Sequence, residues 1–124
     1  EVRQSEPYVQ AQTTYSTFSP RAGNTRTSWL TGAAAWAYFS ATQYVLGIQP
    51  EMDGLRIDPC IPRDWKGFKA SRRFRGHTIE IEVRNPQGVC RGVKSVTLNG
   101  QALPENLIPA ERLGEQNKVE VVMG

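Results

Sequence analysis

The sequence predicts an α+β chain in which one apolar helix precedes an antiparallel, jelly-roll-like β-sandwich. Two observations support this fold class. No charged residue occurs between Thr27 and Pro50, although charged residues make up 22% of the 124-residue chain. After Gly54 the pattern changes to short alternating segments separated by turn residues, which is typical of antiparallel sandwiches and jelly rolls. We therefore expect a helical first part and a β second part.

The charge-free stretch is predicted to form one helix over about residues 29–46. Ser28 is the expected N-cap, and Gly47 followed by Pro50 ends the helix. Apolar side chains lie on nearly every face of this helix, so other elements must surround it. The strands that follow can cover one side at most. We therefore expect an α+β fragment of a larger protein, and Glu1 in place of Met predicts a processed or cut N-terminus.

The other segments differ in pattern. Residues 1–27 are polar and interrupted by Pro and Gly, and their aromatic residues predict an irregular but packed segment. Alternating apolar residues predict strands at about 55–58, 68–74, 79–83, 93–98 and 118–123. Asn99-Gly100 is a strong hairpin turn signal, and Arg75-Gly76 is a second expected turn.

Composition excludes several classes of function. Cys60 and Cys90 are the only cysteines and His77 is the only histidine, so the usual zinc clusters cannot form within this chain. Two free thiols in a cytosolic protein is the preferred interpretation, and one disulfide stays open as the alternative. The net charge of +3 does not require a nucleic acid or an anionic membrane as partner.

The charge-free stretch is long enough to cross a bilayer, since about 20 residues suffice. Its polar residues favour a buried helix of a water-soluble protein instead; they are Thr31, Ser40, Thr42 and Gln43. We therefore do not expect this chain to bind or cross a membrane.

Few residues suggest catalysis by themselves. His77 follows a turn and is expected to be a solvated surface residue. The cluster Arg72, Arg73 and Arg75 could contact RNA phosphates, but a solvated strand edge is the preferred interpretation.

The predicted helix entry is more informative. The first amide N–H groups of a helix are unpaired and can hold an anion. Thr31 adds a hydroxyl donor there, and Gly32 allows close approach of a ligand to the backbone. A capped helix with a packing glycine is the alternative interpretation.

Four segments carry a resemblance to a known family: SWLTGAAAW, LGIQPEMDGLRIDPCIPRDWKGF, RRFRG and EVRNPQGVCRGVKSVTLNG. They resemble the C-terminal end of glycoside hydrolase family 94, the inverting disaccharide phosphorylases, which include enzymes for cellobiose and for N,N′-diacetylchitobiose. The resemblance implies that residues 1–50 end an (α/α)6 catalytic barrel, with the helix at 29–46 as its last helix. It also implies that residues 51–124 form the C-terminal β-sandwich domain.

The resemblance also implies a reaction and the residues that serve it. Phosphate attacks a β-linked disaccharide and yields an α-sugar 1-phosphate plus a free sugar. Thr31 and Gly32 match the family's phosphate-binding pair, and Gln12 matches a glutamine that contacts the sugar in the −1 subsite. The general-acid aspartate and the phosphate-binding arginine and histidine are expected upstream, so this chain alone is expected to be inactive.

Other residues are not expected to replace the upstream groups. Arg21, Arg26 and His77 are not assigned to phosphate, and the remaining acidic candidates are expected to be structural: Asp53, Asp58 and Asp64. No cofactor or metal is expected, and inorganic phosphate is the co-substrate.

The expected partners are the disaccharide, phosphate and the upstream remainder of the enzyme. The family also allows a homodimer, and a cytoplasmic location is expected. The choice between cellobiose and N,N′-diacetylchitobiose stays open. The alternatives are a non-catalytic structural or carbohydrate-binding β domain and the phosphorylase-like region of a cyclic β-1,2-glucan synthase.

Overall fold

The computed structural model describes residues 9–26 and 32–124. The chain divides into two compact units, Glu1–Ser40 and Ala41–Gly124. The described part of the first unit contains a two-stranded hairpin and an α-helix, and the second contains two β-sheets. The predicted α+β class is therefore confirmed.

The hairpin of the first unit pairs β1, Thr13–Thr14, with β2, Thr25–Arg26, in antiparallel fashion. Backbone hydrogen bonds extend the pairing beyond the strands. The amide of Tyr15 donates to the carbonyl of Asn24 at 2.9 Å, and the amide of Gly23 donates back to the carbonyl of Tyr15 at 3.0 Å. The sequence predicted an irregular segment here, so this hairpin is a correction to that prediction.

Helix α1 spans Ala33–Phe39 and continues into a π-helical segment, Ser40–Val45. The amide of Leu46 donates to the carbonyl of Ala41 at 2.9 Å, which is the i→i−5 bond of a π-helix. Such wide turns have no signature in the apolar pattern, so the sequence predicted an ordinary α-helix there. Gly47 adopts φ +67°, and this left-handed conformation ends the helical run where the sequence predicted.

The start of the predicted helix lies partly outside the described residues, which exclude 27–31. The structure assigns the N-cap position to Gly32, whereas the sequence predicted Ser28. No side chain of α1 or of the π-helical segment is buried. Trp36 is 73% exposed and Tyr44 is 67% exposed, so the large apolar side chains of this helix lie open.

The second unit contains eight of the strands in the described part of the chain, and they form two sheets. The three-stranded sheet has the order β3-β4-β9, with β3 Ile48–Pro50, β4 Gly54–Ile57 and β9 Leu107–Pro109. The five-stranded sheet has the order β5-β6-β10-β7-β8, with β5 Gly67–Phe74, β6 His77–Arg84, β7 Val93–Leu98, β8 Gln101–Leu103 and β10 Gln116–Met123. A short 3₁₀ turn, Ala110–Arg112, follows β9.

One strand pair departs from the predicted antiparallel arrangement. β10 pairs antiparallel with β7 but parallel with β6, so Val119 lies opposite both Leu98 and Ile81. The five-stranded sheet is therefore mixed. The sequence correctly predicted β10 as a strand, but an alternating pattern is the same for either direction of pairing.

A single hydrophobic cluster contains residues from both sheets of the second unit. Its fully buried apolar side chains are Leu55, Ile57, Ile79, Ile81, Val83, Ile108, Val119, Val121 and Met123. In β6, Ile79, Ile81 and Val83 are buried while Glu80 is exposed. The period of two in this strand is the pattern that the sequence predicted.

Both predicted turns are present. Asn99 and Gly100 have φ values of +51° and +82°, as a type I′ hairpin turn requires. Arg75 and Gly76 have φ values of +50° and +86° and connect β5 to β6. Of the helices that the structure describes, none has the length and apolar character needed to cross a bilayer.

Candidate functional site

Gln12, the predicted sugar-binding residue, is exposed and directly precedes β1. Its primary amide can donate to one hydroxyl group and accept from another, which suits recognition of neighbouring sugar hydroxyls. The hairpin that begins at the next residue holds the backbone after Gln12 in a defined register. Gln12 is therefore an accessible polar group at the base of an ordered hairpin.

Of the predicted phosphate-binding pair, Gly32 is described and Thr31 lies outside the described residues. Gly32 is exposed, has φ −70° and ψ −4°, and its carbonyl accepts from the amide of Trp36 at 3.0 Å. No side chain caps this helix start. An added Cβ at Gly32 would lie 3.6 Å from Cδ1 of Trp36, which is ordinary van der Waals contact. The local fold therefore does not require glycine at this position.

The hairpin links the segments that carry these residues. Thr13, the residue after Gln12, lies opposite Arg26. Gly32 follows Arg26 by six residues, and six residues span at most about 20 Å even when fully extended. The β1–β2 pairing therefore limits how far apart Gln12 and Gly32 can lie.

One of the three basic residues that could suggest nucleic-acid binding, Arg75, has structural partners. The guanidinium carbon of Arg75 lies 5.2 Å from the ring centroid of Phe74, and Nη2 of Arg75 donates to the carbonyl oxygens of Met52 and Glu51. Arg75 therefore joins the β5–β6 turn to the turn before β4. For Arg75 this arrangement favours the interpretation of a strand edge over an RNA site, and β5 is an edge strand of its sheet.

His77 is half-buried at the start of β6 rather than fully solvated. Its Nδ1 lies 2.7 Å from the carbonyl oxygen of Gly114. A carbonyl oxygen can only accept, so Nδ1 carries the proton and donates. This contact holds the loop before β10 and gives His77 a structural role.

Asp58 also has a local structural partner. One of its carboxylate oxygens accepts from Nη2 of Arg91 at 3.0 Å, and this hydrogen bond raises the pKa of Arg91 above its ordinary value. Cys60 and Cys90 are free and exposed. Cys60 pairs with Arg91 in an isolated antiparallel bridge. These residues join the loop after β4 to the loop before β7.

A second ion pair lies at the turn before β4. Arg56 donates to both carboxylate oxygens of Glu51, and Nη1 of Arg56 donates to Oδ1 of Asn106 at 2.8 Å. The hydrogen bond from Arg56 holds the pKa of Glu51 below its ordinary value. Within residues 9–26 and 32–124, no group of three or more His, Cys, Asp or Glu residues could hold a metal ion.

Comparison with known proteins identifies the family. Residues 1–47 match the family model for the glycosyl hydrolase 94 superfamily catalytic domain. The whole chain is 45% identical to an N,N′-diacetylchitobiose phosphorylase from Vibrio proteolyticus and 40% identical to one from Vibrio furnissii, in each case over 15% of the relative's length. The chain belongs to glycoside hydrolase family 94. A solabiose phosphorylase from Paenibacillus borealis is 37% identical over 95% of the chain and 15% of its own length.

The family 94 chain therefore spans about 15% of the length of these curated relatives. Its residues 49–90 match a different family model, the C-terminal domain of glycosyl hydrolase family 65. The first match includes Gln12, Thr31 and Gly32, and the second covers β4, β5 and β6 together with both cysteines. All three predicted site residues thus belong to the part that resembles a catalytic domain.

Sequence reasoning missed one feature of the predicted site. The Arg26 guanidinium lies over the Tyr15 ring, 5.9 Å from its centroid, across the hairpin. No sequence signal indicated that these two residues meet, because the strands are only two residues long and Pro20 and Gly23 suggested an irregular loop.

Proposed function

We propose that the chain is the C-terminal portion of a family 94 disaccharide phosphorylase that cleaves a β-linked disaccharide with inversion. The products are an α-sugar 1-phosphate and a free sugar. The observation that carries this proposal is the similarity of the whole chain to two proteins named N,N′-diacetylchitobiose phosphorylase. That disaccharide is the first substrate to test, and cellobiose is the second.

In this proposal α1 is the last helix of an (α/α)6 barrel, and the second unit is a jelly-roll-like C-terminal domain. The exposed aromatic side chains of the helix support the barrel. Trp36, Tyr38 and Tyr44 are 73%, 58% and 67% exposed, and burying a large apolar side chain is worth about 1.5–3 kcal/mol. Neighbouring barrel helices from the rest of the enzyme would supply that burial.

The proposed mechanism needs only one proton donor. An aspartic acid in the upstream part of the barrel protonates the leaving oxygen, and phosphate takes the place that water has in an inverting hydrolase. Phosphate is already an anionic nucleophile, so no second carboxylate has to activate it. The binding site contributes mainly by holding phosphate in line with the anomeric carbon. Inorganic phosphate is the co-substrate, and the proposal includes no metal or cofactor.

Three residues of this chain are assigned to that site. Thr31 donates its hydroxyl to phosphate, and the lack of a side chain at Gly32 lets a phosphate oxygen approach the backbone. Gln12 binds hydroxyl groups of the sugar in the −1 subsite. The accessibility of Gln12 and Gly32 and their connection through the hairpin support this assignment. The general acid is not part of this chain, so residues 1–124 alone should show no turnover.

The test uses the whole enzyme and measures sugar 1-phosphate release from N,N′-diacetylchitobiose and from cellobiose, with and without phosphate. Phosphate-dependent cleavage of either sugar would support the proposal and name the substrate. Absence of phosphate-dependent cleavage of both sugars would contradict it and favour the binding-domain or glucan-synthase alternatives. A homodimer and a cytoplasmic location stay predictions, and size-exclusion chromatography of the same sample tests the first.

Substitutions in the whole enzyme test the residue assignments. Thr31→Val keeps the shape of the side chain but removes one hydrogen bond to a charged ligand. Such a bond is worth about 1.5–3 kcal/mol, so the KM for phosphate should rise about 10- to 100-fold. Gly32→Ala should also raise the KM for phosphate while leaving folding intact, because the added Cβ fits against Trp36. Gln12→Met should instead raise the KM for the disaccharide.

Gln101→Met is the matched control, since Gln101 is exposed and lies in the second unit. It should leave both KM values unchanged. An unchanged phosphate KM in Thr31→Val and Gly32→Ala would refute the phosphate assignment, even in an active enzyme.

A further inference from the structure

We infer that Tyr15 and Arg26 form a clamp that holds the hairpin next to Gln12 and so positions Gln12, an inference that rests on the proposed function. Neither residue needs to contact the substrate in this role. The contact that carries the inference is the Arg26 guanidinium over the Tyr15 ring, 5.9 Å from the centroid. A cation at this distance from an aromatic face is attracted to it electrostatically.

The register of the hairpin explains why these two side chains meet. Thr13 lies opposite Arg26, and the amide of Tyr15 donates to the carbonyl of Asn24 at 2.9 Å. Tyr15 and Arg26 are therefore diagonal neighbours. Tyr15 lies two residues after Thr13, which is opposite Arg26, and Arg26 lies two residues after Asn24, which is opposite Tyr15. Side chains two residues apart share a face, and long and aromatic side chains can reach diagonally across it.

The clamp matters because the hairpin is short. Each strand has two residues, and an isolated two-stranded hairpin is marginally stable in water. The loop closes through backbone bonds, including the Gly23 amide to the Tyr15 carbonyl at 3.0 Å. Tyr15 thus holds the loop through its backbone and β2 through its ring, so losing the ring contact should loosen the connection between Gln12 and Arg26.

The same geometry separates this role from direct phosphate binding by Arg26. The Arg26 guanidinium makes its contact within its own hairpin, over the Tyr15 ring. A clamp of this hairpin should act on the disaccharide, because Gln12 directly precedes β1. A direct ligand of phosphate should act on phosphate alone and should not depend on Tyr15.

The experiment is a double-mutant cycle in the whole enzyme, with Tyr15→Leu, Arg26→Met and the combined variant. Steady-state kinetics give kcat and the KM values for phosphate and disaccharide. Each single change should raise the KM for the disaccharide by about two- to five-fold, as expected for an exposed cation–π contact, with little change in the KM for phosphate or in kcat. The double variant should be no worse than either single variant, since both remove the same contact.

Conservative variants keep the test valid if Tyr15→Leu does not fold. Tyr15→Phe retains the ring and Arg26→Lys retains the cation, so both should stay near wild-type KM values, whereas Arg26→Met should not. A purely structural defect would instead lower the amount of active enzyme, and so kcat, without changing either KM.

Three results would overturn the clamp in an active enzyme: additive effects in the double variant, a change in the phosphate KM alone, or equal damage from Tyr15→Phe and Tyr15→Leu. These leave the proposed function intact. A wild-type enzyme with no phosphorolysis would instead overturn the proposed function and the clamp together.

Discussion

Replacing Asn85 with Asp should destabilise the second unit strongly and in a pH-dependent way. Asn85 is fully buried. Its side-chain amide donates to the carbonyl oxygens of Trp65 at 3.1 Å and Val89 at 2.9 Å, and its Oδ1 accepts from the amide of Val89 at 3.0 Å. Asp has the same shape but cannot donate when ionised, so the carbonyl oxygens of Trp65 and Val89 lose their donor and face a carboxylate.

The magnitude follows from those two orphaned groups. Each buried unsatisfied partner costs about 1–3 kcal/mol, so Asn85→Asp should lower the free energy of unfolding by about 2–6 kcal/mol at neutral pH. Burial raises the pKa of the new carboxyl in the folded state above its unfolded value of about 3.9. Folding then favours the protonated carboxyl of the variant. The loss of stability relative to the original protein should therefore grow as the pH rises through the folded pKa.

Urea unfolding followed by circular dichroism between about pH 4 and pH 8 measures this deficit. Asn99→Asp is the matched control, because Oδ1 of Asn99 only accepts, from the amide of Lys118 at 2.8 Å, and a carboxylate can do the same. That control should stay within about 0.5 kcal/mol of the original protein. Equal stability of the two variants at pH 7, or a deficit in Asn85→Asp that does not grow with pH, would refute the reasoning.

Two other substitutions test backbone geometry and an ion pair. Gly67→Ala should lower the free energy of unfolding by at least about 2 kcal/mol, because Gly67 has φ +143° and an added Cβ would overlap the carbonyl oxygen of Val83. Gly76→Ala is the control: Gly76 has φ +86° and an added Cβ would meet no atom within 4 Å, so it should cost only about 1 kcal/mol. Equal costs in urea unfolding would contradict this reasoning. Glu51→Gln should lower the urea midpoint at neutral pH, because the hydrogen bond from Arg56 lowers the pKa of Glu51 from 4.5. The stabilisation by ionised Glu51 is present above its unfolded pKa and is lost as the pH falls through the lowered pKa, so a difference between variant and original that persists in acid would argue against this role.

The local features of the chain could be predicted from sequence because they depend on neighbouring residues. The alternation of Ile79, Ile81 and Val83 with charged residues places one face of β6 in the core, and the structure buries all three. Asn99-Gly100 adopts positive φ at both positions because few other residue pairs tolerate it. The absence of charged residues from 27 to 50 predicted an apolar helix that other elements must cover. The aromatic side chains of this helix that the structure describes are exposed in this chain.

The candidate site depended on the resemblance more than on the pattern. The physics of a helix start alone left two interpretations of Thr31 and Gly32, an anion site or a capped helix with a packing glycine. Nothing in the spacing around Gln12 indicated that it contacts a sugar. The structure adds that Gly32 has room for a Cβ. Packing within the described residues therefore does not explain the glycine.

What the sequence by itself determined was the identity of five strands, β4, β5, β6, β7 and β10, together with their alternation and two turns, because alternation and turn conformation are properties of neighbouring residues. Which strands pair, and in which direction, was decided only by the tertiary structure. Val119 would alternate in the same way beside a parallel or an antiparallel neighbour, yet it lies between antiparallel β7 and parallel β6. The contact between Tyr15 and Arg26 was decided in the same way, since it exists only once β1 and β2 have adopted their register.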